Sequence, residues 1–181
     1  MQYLLLLFML PTAEPPPQTI TAEIPPAIRA WFDNPDGSCV QCSIGMNGIH
    51  NNNLNAAMLL FNTAYGKAQR GGSTPSRVAS YCDERGIKAW NITGSETVDW
   101  TEWAVKTNRG AAIGFSTRHF QTLYGKDYPN NLWLICDNNS THRIDQYTYD
   151  EFLRKHLQSG RWIVILQGPS PPPVPQYVKW W

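Results

Sequence analysis

Apolar residues recur at helical spacing through the first half of this chain and gather into short unbroken runs in the second half. That order is the strongest restriction on the fold. Over 39–49, Cys42, Ser43, Met46 and Ile49 share one helix face, and over 53–65 Leu54, Ala57, Met58 and Phe61 do the same. The second stretch reads as a further helix or an extension of the first. Gly71-Gly72 breaks the pattern, and Ser73-Thr74-Pro75 opens another helix. There Thr74 is the cap, and Pro75 sits in the first turn, where its missing N–H removes no helical bond. Val78, Tyr81 and Cys82 form its buried side, and Arg85-Gly86 ends it. A short strand over 87–92 precedes a helix over 97–106 that carries Trp100, Trp103 and Ala104. Strand runs then follow at 111–115, 119–124, 132–136 and 143–147, with a helix over 149–157 and a last strand over 162–166. Helices first and strands later predict an α+β fold, a helical lobe packed against an antiparallel sheet.

The chain of 181 residues suffices for one well-cored domain, and eight Trp, eight Tyr and six Phe supply its apolar area. Fifteen basic residues balance fourteen acidic ones without forming a basic face, which argues against a nucleic-acid partner. Met1 to Leu10 is apolar but too short to span a bilayer, and no other segment is a candidate for a stable membrane span. With Pro11-Thr12-Ala13 behind it, the run reads as a secretory signal over 1–13, implying a secreted or periplasmic protein. The alternative is an apolar terminus or a strand of the fold. A Pro-rich arm over 14–30, a domain over 31–168 and a Pro-rich tail over 169–181 complete the division. The tail ends in Trp180-Trp181 and is expected to pack back onto the domain.

Chemistry concentrates around Cys39. The turn Asp36-Gly37-Ser38 delivers this cysteine to a helix start. Unpaired amides and the helix dipole at such a position favour a thiolate, the form that attacks a carbonyl. Cys42 lies one turn on, so a redox pair is an alternative. A thioredoxin-like pair follows an apolar strand, however, and here Asp33-Asn34-Pro35-Asp36 precedes the cysteines. A zinc site from Cys39, Cys42, Cys82 and Cys136 lacks a second close-spaced pair, so neither metal nor cofactor is expected. Cys82 and Cys136 read as buried apolar groups, and any disulfide pairing stays open. His119 opens one apolar run and Asp137 closes the next, so a hairpin would bring them together. Cysteine, histidine and carboxylate in that order suit a Cys-His-Asp/Asn site. The imidazole takes the thiol proton, and the third group accepts the other ring N–H. Asn138 is the runner-up for the third position and Cys42 for the nucleophile. His50, His142 and His156 have polar surroundings and read as solvated.

Three short motifs resemble the papain-like cysteine peptidases, closest to the compact bacterial leader-processing peptidases of bacteriocin-exporter type. Ser38-Cys39-Val40-Gln41-Cys42-Ser43-Ile44-Gly45-Met46 resembles the nucleophile segment of that family in its placing of cysteine, small residues and Met. His119-Phe120-Gln121-Thr122-Leu123-Tyr124-Gly125 is similar to its histidine strand, and Leu134-Ile135-Cys136-Asp137 to its apolar run ending in Asn or Asp. The resemblance covers about 33–167 by order of elements. It implies a papain-like fold and amide hydrolysis of a peptide or protein substrate. Cys39 would then be the nucleophile, His119 the base and Asp137 the orienting group. The Cys39 N–H would supply half an oxyanion hole. The family's second oxyanion donor is a Gln about six residues before the cysteine. Asp33 stands there and an ionised Asp donates nothing, so neighbouring Asn34 is the candidate. The Asp-Gly-x-Cys turn is also similar to that of ovarian-tumour-type deubiquitinases, where backbone amides serve instead. A papain-like binding module without catalysis and a transglutaminase-like acyl transferase are the alternative readings.

Overall fold

A computed structural model of the chain describes residues 18–34, 37–59 and 72–168. The signal-like run over 1–13, the end of the second expected helix and the tail over 169–181 lie outside the described residues. Within them the fold is α+β, with an antiparallel sheet at its centre.

The strands are β1 (Thr19–Thr21), β2 (Ala89–Thr93), β3 (Ala111–Gly114), β4 (Phe120–Asp127), β5 (Leu132–Cys136), β6 (Asp145–Tyr147) and β7 (Trp162–Leu166). Their order is β2-β7-β3-β4-β5-β6, with β1 pairing β4. Helices are α1 (Pro26–Arg29), α2 (Cys39–His50), α3 (Leu54–Ala57), α4 (Pro75–Glu84), α5 (Thr97–Lys106) and α6 (Tyr149–Gln158). A 3-10 turn, Ala30–Phe32, joins α1 to the loop before α2. Several boundaries follow from local chemistry. The Thr74 side chain accepts from the Arg77 N–H at the start of α4. At α6, Thr148 and Glu151 form a reciprocal capping box, each satisfying an amide that helix geometry leaves unpaired.

Alternation along the strands sorts side chains into two layers. Ile113, Leu123, Ile135, Ile163 and Ile165 face Trp103 of α5 and Phe152 of α6. The Phe152 ring stacks on Trp133 at 4.3 Å between centroids. Ala112, Phe120, Val164 and Leu166 face Val40 and Ile44 of α2 and Val78 and Cys82 of α4. Helices therefore cover both faces of the sheet, whereas the sequence predicts a lobe on one side. The unbroken apolar runs of β3, β5 and β7 carry that correction, because a strand apolar at every position needs cover on both faces.

The fold also begins earlier than the boundary expected at residue 31. Thr19 pairs with Asp127 and Thr21 with Gly125, alongside the part of β4 that β3 leaves unpaired. Gly125 permits this approach, since a Cβ there would meet the Ile20 carbonyl. Ala22, Ile24 and Arg29 are buried behind β1. The Arg29 guanidinium donates from Nε to Thr141 O at 2.9 Å and from Nη1 to Ile24 O at 3.1 Å. Most of the Pro-rich arm is thus part of the domain.

Candidate active site

Three chain segments meet at the amino end of α2. The first is the helix start itself. Cys39 is its first residue, so its side chain projects from a helix terminus and packs at the edge of the layer formed by Val40, Ile44 and Phe120. The second is the tight turn between β3 and β4. It closes through the Phe115 N–H on the His119 carbonyl at 2.9 Å, with Ser116 and Arg118 in the left-handed region. His119 stands immediately before β4. The third is the end of β5, where Thr122 pairs with Cys136 and leaves Asp137 across from the start of β4.

His119 Nε2 lies 2.8 Å from Asp137 Oδ1, and the Cys39 side chain is near enough to the ring to favour its charged form. An ionised carboxylate only accepts, so Nε2–H donates to Asp137. Burial opposes the imidazolium, but the bonds and charges of Asp137 and Cys39 outweigh it and raise the His119 pKa from 6.5 to about 9. Burial likewise opposes the Asp137 carboxylate. The His119 bond and the Asn139 N–H, at 2.9 Å from Oδ1, prevail and hold it below its ordinary value. Cysteine, histidine and carboxylate thus form one connected row.

The other sequence candidates sit differently. Cys42, one turn along α2, is fully buried with Phe32, Met46, Leu134 and Cys136, in a different layer from Cys39. Asn138 does not touch His119 in the orienting position; its amide bonds Cys39 O, Ser43 Oγ and Phe120 O. Asn34 donates from Nδ2 to Asn139 Oδ1 at 3.0 Å, accepts from the Gly37 N–H at 3.0 Å, and bonds Asn138 O through its own N–H. Its side chain braces the loop before α2 against the loop after β5. Asp33 accepts from the Thr141 hydroxyl. Asn139 Nδ2 stands 3.3 Å from His119 Nε2 and flanks the pair.

His156 corrects an expectation. It is fully buried rather than solvated, with Nδ1 2.8 Å from Gly114 O and Nε2 2.8 Å from Thr97 Oγ1. Burial lowers its pKa, and it fastens α6 to the end of β3 as a neutral ring. Charged sequence neighbours misdirect the reading, because Arg154 is exposed and Lys155 lies over the Phe115 and Tyr147 rings while His156 follows Phe152 by one turn onto the buried face. His50 donates to Asn108 O at 2.8 Å, and His142 is exposed. All four cysteines are free thiols. Among the described residues no cluster of three or more His, Cys, Asp or Glu could hold a metal ion. No described helix is long and apolar enough to cross a membrane. No protein-family model matches the chain, and no curated protein matches it either.

Proposed function

We propose that this protein is a papain-like cysteine hydrolase that cleaves amide bonds in peptides or proteins. The observation that carries the reading is a single imidazole bonded to Asp137 at 2.8 Å, with Cys39 at the start of α2 near enough to favour its charge. In this mechanism Cys39 Sγ attacks the scissile carbonyl carbon, forming a C–S bond and a tetrahedral oxyanion. The Cys39 N–H, at a helix start with no preceding helical acceptor, points a donor at that oxygen. His119 gives its proton to the leaving nitrogen as the C–N bond breaks, leaving a thioester. Water then attacks, His119 takes its proton, and the thiol departs as the acid product forms. Asp137 holds the ring orientation and stabilises the imidazolium throughout. Export belongs to the same proposal and rests on residues 1–13 alone.

One observation favours a second reading, a binding module that does not catalyse. The side chains of Asn34 and Asp33 are bonded to Asn139 and Thr141, so neither stands ready as a second oxyanion donor. An epoxysuccinyl peptide and mass mapping separate the two. The hydrolase reading expects a covalent adduct on Cys39 that Cys39→Ser abolishes, Cys42→Ser leaves intact, and His119→Ala slows by about 10²-fold or more. Reduced, folded protein that takes up no label supports the binding module. Label on Cys42 alone overturns the assignment of the nucleophile.

A further inference from the structure

Asn138 sits between the two reacting groups without being either of them. Its side chain is fully buried, and its Nδ2 has three acceptors around it: Cys39 O at 3.0 Å, Ser43 Oγ at 3.0 Å and Phe120 O at 2.8 Å. Two of these belong to α2 and one to β4. One is the carbonyl of the cysteine itself, and another belongs to the residue next to His119. A single amide with two protons therefore ties the start of the helix to the start of the strand, one proton being shared between acceptors. Its Oδ1 is buried and accepts no hydrogen bond. A buried acceptor without a partner costs stability, so the nitrogen accounts for an amide here and overall polarity does not. Asn138 is also fixed from behind, because its own carbonyl accepts from the Asn34 N–H at 2.7 Å. That bond joins it to the loop leading into Cys39.

We infer that Asn138 is a positioning residue that sets the separation of the Cys39 sulfur and the His119 ring by bolting α2 to β4. The inference rests on the reading of Cys39 and His119 as a working pair. Asp137, next to it in the chain, orients the ring; Asn138 holds the backbone of Cys39 and of Phe120, the residue after His119. The physical need is plain. Cys39 and His119 lie 80 positions apart on separate elements, and their contact survives only if the helix cannot slide along the strand. Apolar packing of Val40 and Ile44 on Phe120 is tolerant of such sliding, whereas a directional amide is not.

The test follows the His119 ring by NMR titration, a readout that needs no substrate. Asp137 and Cys39 both raise the ring's midpoint, and the Cys39→Ser background separates their contributions. Four proteins are compared: the unaltered chain, Asn138→Ala, Cys39→Ser, and the two changes together. The expected result is a midpoint in Asn138→Ala that falls toward the Cys39→Ser value, with no further fall in the double variant. A folded Asn138→Ala whose midpoint is unchanged overturns the inference. So does an equal fall in the Cys39→Ser background, which would mean that Asn138 acts on Asp137 instead. Asn138→Ser provides the same comparison where the alanine does not fold. In the unaltered protein, scalar couplings across the hydrogen bonds from Asn138 Nδ2 to the Cys39 and Phe120 carbonyls test the bolt directly, and their absence overturns it. A midpoint that responds as expected in a protein that never takes the epoxysuccinyl label would uphold the positioning role and reject catalysis.

Discussion

His119 has its charge set by two neighbours and opposed by burial, and the consequence can be read in stability. Its pKa rises from 6.5 in the unfolded chain to about 9 in the fold, so folding binds the proton more tightly. The stabilisation is therefore fully present below about pH 6.5 and is lost as pH rises through about 9. We expect the melting temperature of the unaltered protein to exceed that of His119→Ala most below pH 6.5. The gap should close by pH 9–10 in thermal scans across that range; a gap that widens with pH would contradict the assignment. Asp137 works with the opposite sign. Its carboxyl is held below the ordinary 3.8, so its contribution is present above that pH and fades in stronger acid. The residue types here were legible in the sequence, and so was the order Cys39, His119, Asp137. The sequence favours Cys39 over Cys42 by the turn that delivers it to the helix start, and the layers packed around α2 place Cys39 near His119 and Cys42 beside Phe32.

Among the elements, α2 carries the most constraint. It packs on β3, β4 and β7 along one side and on α3 along another. Gly48 allows the second contact, since a Cβ there would run into the backbone of Ala57. Gly48→Ala is expected to destabilise the protein in denaturant melts even though alanine is the better helix former by about 1 kcal/mol. A stabilised variant would show that α3 yields easily. Turn and cap chemistry made several ends readable: Thr74 with Pro75 at α4, and Arg85-Gly86 after it, with Gly86 in the left-handed region. The bounds 97–106, 132–136 and 162–166 coincide with α5, β5 and β7. The weakest reading was the second helix, because α3 ends at Ala57 and residues 60–71 lie outside the described residues. Buried polar residues were also illegible. Asn138 reads in sequence as an alternative orienting group and His156 as a solvated one, and their partners, Phe120 O and Gly114 O, come from other strands of the sheet.

At the scale of the molecule, the arm before Cys39 is a working part of the domain. β1 extends the sheet beside β4, Ile24 enters the core with Phe32, Met46 and Leu134, and Arg29 ties the arm to the loop after Asp137. Ile24→Ala should therefore cost about 2–4 kcal/mol in chemical denaturation, the range for emptying a buried aliphatic site. A cost near zero would return these residues to the status of a surface arm. From residue 72 onward the order of helices and strands was readable from the chain alone, as was the order of the candidate residues Cys39, His119 and Asp137, because periodicity, caps and turn residues act over a few positions. That helices flank both faces of the sheet and that the arm joins it came from the fold alone. Those outcomes depend on contacts between positions roughly a hundred residues apart, such as Asn138 with Cys39, and no local pattern encodes them.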